Sequence, residues 1–377
     1  MDDKSMDHQK IAHLKGQKMK NTKMKDDIKS HLKTILLICS SFASTSIFAE
    51  IKGISFSHGD WELACDNTGT CRAAGYHTDE NSFENMVSVL LTRKAGTNTP
   101  VKAEFTMMVG DEKAVIPKQY ILKINGQSYG KVSNQEENST TLTPQQIQAL
   151  LKSATQNSEI ILDAGKNSLV LSGSGMSAVL LKMDEFQKRV GTSSALIKKG
   201  NRANENVLQP EAIPVVTVQP AIKGKMIEYK SPHLEVERIL NILKRTTTEE
   251  DCHLLFDEQD ADVRQVIVTP LTKDKSLVRS PCWSGAYNFG SGAWVMDHKL
   301  TKVYQMVSNS ISDGDSVMLN ASHKGRGLGD CWSSEEWVWN GQKFIQSYEA
   351  ANLQCKGFPG GAWTMPTKIS KIKESAR

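Results

Sequence analysis

Residues 56–76 read FSHGDWELACDNTGTCRAAGY, and the reading of this stretch decides the fold. Trp61 and Leu63 share one parity, Asp66–Gly69 carry turn chemistry, and Cys71 returns opposite Cys65. That pattern is a β-hairpin closed by a disulfide. A bridge across so short a loop fixes the hairpin more than it stabilises a whole domain.

Working outward, alternation continues. Val87–Leu91 reads as a strand, and 101–109 places Val101, Ala103, Phe105 and Met107 inward with Lys102, Glu104 and Thr106 outward. Tyr120–Ile124 runs into Asn125-Gly126, a two-residue hairpin signal. Thr143-Pro144-Gln145-Gln146 is an N-cap, a first-turn proline and a capping-box glutamine, followed by Ile147, Leu150, Leu151 and Ala154 at helical spacing. Strands near 160–162 and 168–172 precede a second helix from Met176 to Val190, with Gly191 as its C′ residue. Between 199 and 230 periodicity fades, and Pro210, Pro214 and Pro220 mark a linker in which Val215–Val218 has the composition of an edge strand. Ser231-Pro232 opens a third helix with Val236, Ile239, Leu240 and Leu243 on one side. Strands follow at 264–269, 286–289, 293–296, 302–308 and 316–320, and Asn340-Gly341 joins 337–339 to 343–345. The expected class is α+β, mainly β: two β-rich domains (50–198 and 231–377) of sandwich or barrel-like antiparallel sheets, with a few packed helices.

The segment 34–49 is apolar, too short and serine-rich for a permanent span, basic on its N-terminal side and small at its exit. Residues 1–49 therefore read as a secretory signal peptide with an N-terminal extension, and Met24 offers an alternative start. That segment holds nine lysines and five aspartates and so the whole net charge of +4; the rest of the chain has 37 basic and 37 acidic residues. A neutral mature chain without a basic stripe excludes a nucleic-acid partner on charge grounds.

Cys39 lies in the signal segment, where Ile38 argues against lipidation. Cys65, Cys71, Cys252, Cys282, Cys331 and Cys355 remain, an even set that an exported chain uses for disulfides. Six cysteines allow 15 connectivities, and the simplest pairs them in chain order. Neither a CxxC nor a Cys/His cluster of zinc spacing occurs, so no metal or other cofactor is implied.

GDWELACDNTGTCRAAGY, SGMSAVLLKMDEFQKRVGTSSAL, PCWSGAYNFGSGAW and GDCWSSEEWVWNGQKF, with LQCKG at 353–357, resemble the bacterial exported family called domain of unknown function 1176, from about Phe56 to Trp363. The opening Trp–Cys pattern is also distantly similar to the invasion-associated locus B family. The first resemblance implies an extracytoplasmic protein of Gram-negative type bacteria with paired cysteines, and transfers no catalytic residue. The closing GAWTMPTKIS is less tryptophan-rich than that family pattern.

Candidate chemistry is sparse. Ser172-Gly-Ser-Gly175 and Trp283-Ser-Gly285 fall short of a nucleophile elbow and read as turns. The histidines His58, His77, His233, His253, His298 and His323 are scattered and read as surface or turn residues. Asp257, Asp260 and Asp262 miss the EF-hand template, which leaves a solvated loop. Lys324–Gly329 (KGRGLG) has the backbone for an anion cradle but precedes no helix, so it reads as a connection. Glu249-Glu250-Asp251 beside His253 reads as a charged turn. Six of seven tryptophans lie in the second half, and Trp337 and Trp339 share a strand face. With Trp332 they form either a platform for sugar rings or a β-domain core.

The function this supports is a periplasmic or secreted, non-enzymatic module. It would bind a cell-envelope component, glycan included, or another exported protein, with no membrane span after signal cleavage. The alternative is an envelope hydrolase acting on glycan, whose carboxylates meet only in the fold. A protease inhibitor presenting the Asp66–Thr70 loop is a third reading.

Overall fold

Cys65 and Cys71 face each other across the first hairpin, and their disulfide closes it. The computed structural model describes residues 50–79, 85–109, 117–133, 139–156 and 158–375. The signal-peptide and start-site readings of 1–49 lie outside the described residues. The hairpin belongs to a six-stranded antiparallel sheet in the order Ile54–His58, Trp61–Cys65, Cys71–Tyr76, Asn85–Arg93, Lys102–Val109, Ser139–Thr141.

One face of this sheet carries Trp61, Leu63, Val87, Val89, Leu91 and Phe105 into the main core. The other face is also covered: Ala64, Ala74, Tyr76, Met86 and Leu90 meet Phe358 and Met365 from the far end of the chain. Burial on both sides is why Trp61–Cys65 is closed off at every residue, where simple alternation would leave half of it wet. Gly75 lies directly opposite Trp61; a Cβ there would come within 2.3 Å of the indole.

A four-stranded antiparallel sheet (Leu169–Leu171, Ile160–Asp163, Gln119–Ile124, Gln127–Ser133) and the helices Pro144–Ser153 and Met176–Phe186 complete that core. The first helix starts on the expected capping box, with Thr143 and Gln146 bonded reciprocally and Pro144 in its first turn. The second ends at Phe186, short of Val190. Lys188 turns to positive φ, and Arg189 and Thr192 bond into the loop that follows.

In the second half, Ile227–Lys230, Gln265–Pro270, Lys275–Ser284, Phe289–Asp297 and Val303–Ile311 form one antiparallel sheet. Asp313–Gly314, Met318–Lys324, Trp332–Trp339, Phe344–Asn352 and Pro366–Lys368 form another. Leu277, Val295 and Ile311 of the first meet Leu319, Trp337, Trp339 and Phe344 of the second, so the two sheets pack face to face. The outer face of the first takes the helix Leu234–Leu243, which is capped by His233 and not by Ser231, along with the Cys252–Cys282 bridge and Trp294. The fold is mainly β with few helices, and it holds three disulfides in chain order: 65–71, 252–282 and 331–355.

Contacts cross the expected linker at 199–230, and the described residues belong to one compact unit. Val215–Val218 pairs in parallel with Lys371–Glu374, and Ile227–Lys230 joins the second-half sheet. Asn67 exchanges two hydrogen bonds with Ile369, and the Trp363 indole donates to Ser88 Oγ at 2.7 Å. No helix among the described residues is long and apolar enough to cross a membrane.

Candidate functional site

Among the described residues, the outer edge of the strand Lys102–Val109 pairs with the three-residue strand Ser139–Thr141, which meets Glu104–Thr106. Beyond it Leu142 N donates to Ala103 O at 2.9 Å, and the chain then leaves the strand edge. Immediately after the short strand, the capping box turns the chain into the helix 144–153, whose apolar stripe faces back across the gap. Leu196 closes the third side. The result is a cavity of about 520 Å³ with Ala103, Leu142 and Ile147 in its depth, Leu151 and Leu196 half-buried on its walls, and exposed Lys102 among its outer residues. Its size and apolar lining suit a small amphiphilic ligand.

Arg93 also lines this cavity. It is 5% exposed and belongs to a buried charge cluster with Asp184 and Arg189. Its Nη1 reaches Asp184 Oδ1 at 3.3 Å and its Nη2 donates to Ser194 O at 2.5 Å, while its Nε has no hydrogen-bond partner. The other Asp184 oxygen accepts from the backbone of Leu196 (2.7 Å) and Ile197 (3.0 Å), which holds Leu196 at the cavity wall. Arg189 is fully bonded to Gln187, Ser194, Gly96 and Thr99. Burial, followed by the neighbouring Arg189, pulls the Arg93 guanidinium down to about 10, so it remains a cation at neutral pH. Arg93 is ion-paired with Asp184, and Arg189 lies near enough for its charge to act on both.

Sequence patterning passes over Arg93 and Asp184, although each carries a signal. Arg93 continues the parity of Val87, Val89 and Leu91, and Asp184 lies one helical turn after Leu180 on the buried stripe. A charge at a core position is the mark that periodicity alone passes over.

A second buried polar cluster fastens the first sheet to the Cys355 loop. Glu62, 1% exposed, accepts from Tyr76 Oη (2.5 Å) and Leu353 N (2.7 Å). Burial pushes its carboxyl up to about 7, against those hydrogen bonds. Lys356 Nζ donates to Asp60 (2.6 Å) and Asp79 (2.5 Å). Ser172 donates to the other Asp60 oxygen at 2.5 Å, so it is anchored and not poised as a nucleophile. His77 corrects the expectation of a surface histidine: it is buried, bonded through Nδ1 to Val87, and packed on Phe358, and burial lowers its pKa. The other five histidines are exposed or half-buried.

Trp337 and Trp339 are 7% and 0% exposed and lie among Leu319, Ala321 and Phe344, so their rings fill core and offer no row of aromatic faces. Trp332 is half-buried and donates to Gly360 O at 2.8 Å. The Asp66–Thr70 loop is not presented either: Asn67 and Thr68 are buried, and Asp66 accepts from Thr68 and Arg72. In KGRGLG, Arg326 is bonded to Asp330 and to Cys355 O. Asp330, Cys331 and Cys355 bring ligand atoms within 4.8 Å, but both sulfurs are committed to their disulfide. Asp257 and Asp260 accept from backbone N–H groups of their own exposed loop. Trp283-Ser284 ends a strand, and Glu249–Asp251 is exposed.

The model of the family described as "Protein of unknown function (DUF1176)" matches residues 55–370, and the chain belongs to that family. It is 28% identical over 338 residues to Uncharacterized protein YpfG of Escherichia coli (strain K12), across 81% of this chain and 90% of that protein. No solved structure matches the chain. Nothing in these matches supports the distant likeness to the invasion-associated locus B family.

Proposed function

We propose that this DUF1176 protein is exported to the periplasm and works there as a non-enzymatic binding module, with the cavity beside the helix Pro144–Ser153 as its ligand site. The observation that carries the reading is an open apolar cavity of about 520 Å³ against the main core of the first half. Paired cysteines agree with an oxidising compartment. The ligand belongs to the cell-envelope components expected from the sequence.

The test is uptake of the neutral fluorescent probe N-phenyl-1-naphthylamine. The wild type should show saturable fluorescence enhancement, and Ile147→Trp, which fills the cavity, should lose it with an unchanged melting curve. Absence of saturable uptake by the wild type removes the reading. Export is checked separately by N-terminal sequencing of protein from the envelope fraction, which should begin at or near Glu50; Met1 on that material contradicts it.

One observation favours the glycan-hydrolase alternative. Glu335 and Glu349 are directly opposite on neighbouring strands, and burial together with Glu349 raises the Glu335 carboxyl above its ordinary value. Two carboxyls close together are what glycoside cleavage uses. Release of muropeptides from purified sacculi, abolished in Glu335→Gln, would establish it; no release at any pH between 5 and 8 disposes of it.

A further inference from the structure

The cavity's charge balance narrows its ligand, on the premise that the cavity is a ligand site. The walls contributed by Ala103, Leu142, Ile147 and Leu196 give an apolar chain a place to lie. A purely apolar ligand, however, would do nothing for the charge beside it. Arg93 and Arg189 are both buried, and among the described residues Asp184 is the carboxylate paired with Arg93 and the counter-charge felt by Arg189. Asp184 is already shared, since one of its oxygens serves the Leu196 and Ile197 N–H groups. Arg93 Nε is left without an acceptor although the residue lines the cavity. A buried cation in excess of its counter-charges, with an unmet donor, is costly to hold unless something supplies the missing anion. Lys102, exposed at the cavity, adds positive potential on the approach.

From this the geometry points to an amphiphile with one apolar chain and one anionic head, of the free fatty-acid class, seated with its carboxylate at Arg93 and its chain along Leu142 and Ile147. A carboxylate accepts from a guanidinium through paired N–H bonds, the geometry for which Arg is suited. The single excess positive charge matches a monoanion.

Three ligands of equal chain length decide it: dodecanoate, dodecanol and dodecylamine, each displacing N-phenyl-1-naphthylamine from the wild-type protein below its aggregation threshold. Dodecanoate should displace the probe at concentrations at least about tenfold lower than dodecanol, the scale of one charge-assisted hydrogen-bond pair, and dodecylamine should be weakest. Equal displacement by the three overturns the anionic head and leaves the apolar cavity standing. No probe uptake at all removes the cavity reading, and this inference with it. The variant Arg93→Gln removes the excess charge and leaves Arg189 and Asp184 in balance. It should lose the preference for dodecanoate over dodecanol, and a preserved preference counts against the assignment. Should that variant fail to fold, the wild-type ratio of dodecanoate to dodecanol decides alone.

Discussion

The first half of the molecule packs a continuous apolar core beside an ion pair closed off from solvent on both sides, Arg93–Asp184, whereas the second half packs smaller cores with tryptophan and disulfides and pairs its buried charges with exposed partners. Arg93 and Asp184 have side chains only 6% and 0% exposed. In the second half Arg264 is as buried as Arg93, but its partner Glu237 is 47% exposed; Asp330 is fully buried, and its partner Arg326 is 41% exposed. A buried ion pair is weak evidence for stability, because desolvation of both charges offsets their attraction. An excess cation in that setting is weaker evidence still. The second half shows how this chain handles an ordinary charge, and the first half departs from it beside a cavity. That contrast is the physical reason for seeking the ligand in the first half.

The largest effect should come from breaking the buried cluster. Asp184→Ala leaves two guanidiniums without their carboxylate and should cost about 3–5 kcal/mol by denaturant melting, against at most about 1 kcal/mol for Glu237→Ala. Similar losses for the two would erase the distinction between the halves. Next, Trp339→Ala should cost about 3–5 kcal/mol, because its ring is enclosed between the two second-half sheets, and Trp332→Ala distinctly less. Reversal of that order would return the tryptophans to the role of a surface platform. Cys331→Ser should cost about 2–5 kcal/mol, and Cys65→Ser less, since the first bridge spans 24 residues and the second 6.

The smallest and most specific effect is on pH dependence. Glu62 titrates near its ordinary 4.5 when unfolded and at about 7 when folded. Between these values the folded state keeps a proton that the unfolded state has lost. The contribution of Glu62 to stability therefore falls as pH rises from about 4.5 to about 7, by up to about 3 kcal/mol, and is constant on either side. Glu62→Gln should flatten this slope, so that its stability relative to the wild type improves from pH 5 to pH 8. An unchanged difference across that range would mean the carboxyl is not held protonated.

Much of the fold was legible locally. The Cys65–Cys71 hairpin, the Thr143–Gln146 capping box and the parity of 101–107 all rest on neighbours within a few residues, and all three appear as read. The central strand Lys275–Ser284 did not announce itself. Its sequence KSLVRSPCWS barely alternates and contains Pro281, which the structure accommodates at a register shift between Pro281 and Trp283. The strand expected at 286–289 begins only at Phe289, for the turn after Ser284 takes the intervening residues. The buried polar clusters were illegible for a different reason. Lys356 meets Asp60 across 296 positions of sequence, and Arg93 meets Asp184 across 91. No local pattern encodes such pairs; the only local trace was a charge on a core-facing parity.

The most direct test is a methyl NMR titration of the full chain with dodecanoate. Shifts should be confined to Leu142, Ile147, Leu151 and Leu196 around the first-half cavity, with Leu277, Ile311 and Leu319 between the second-half sheets unmoved. Shifts centred on the second-half methyls, or none at saturating dodecanoate, would contradict the assignment of ligand binding to the first half.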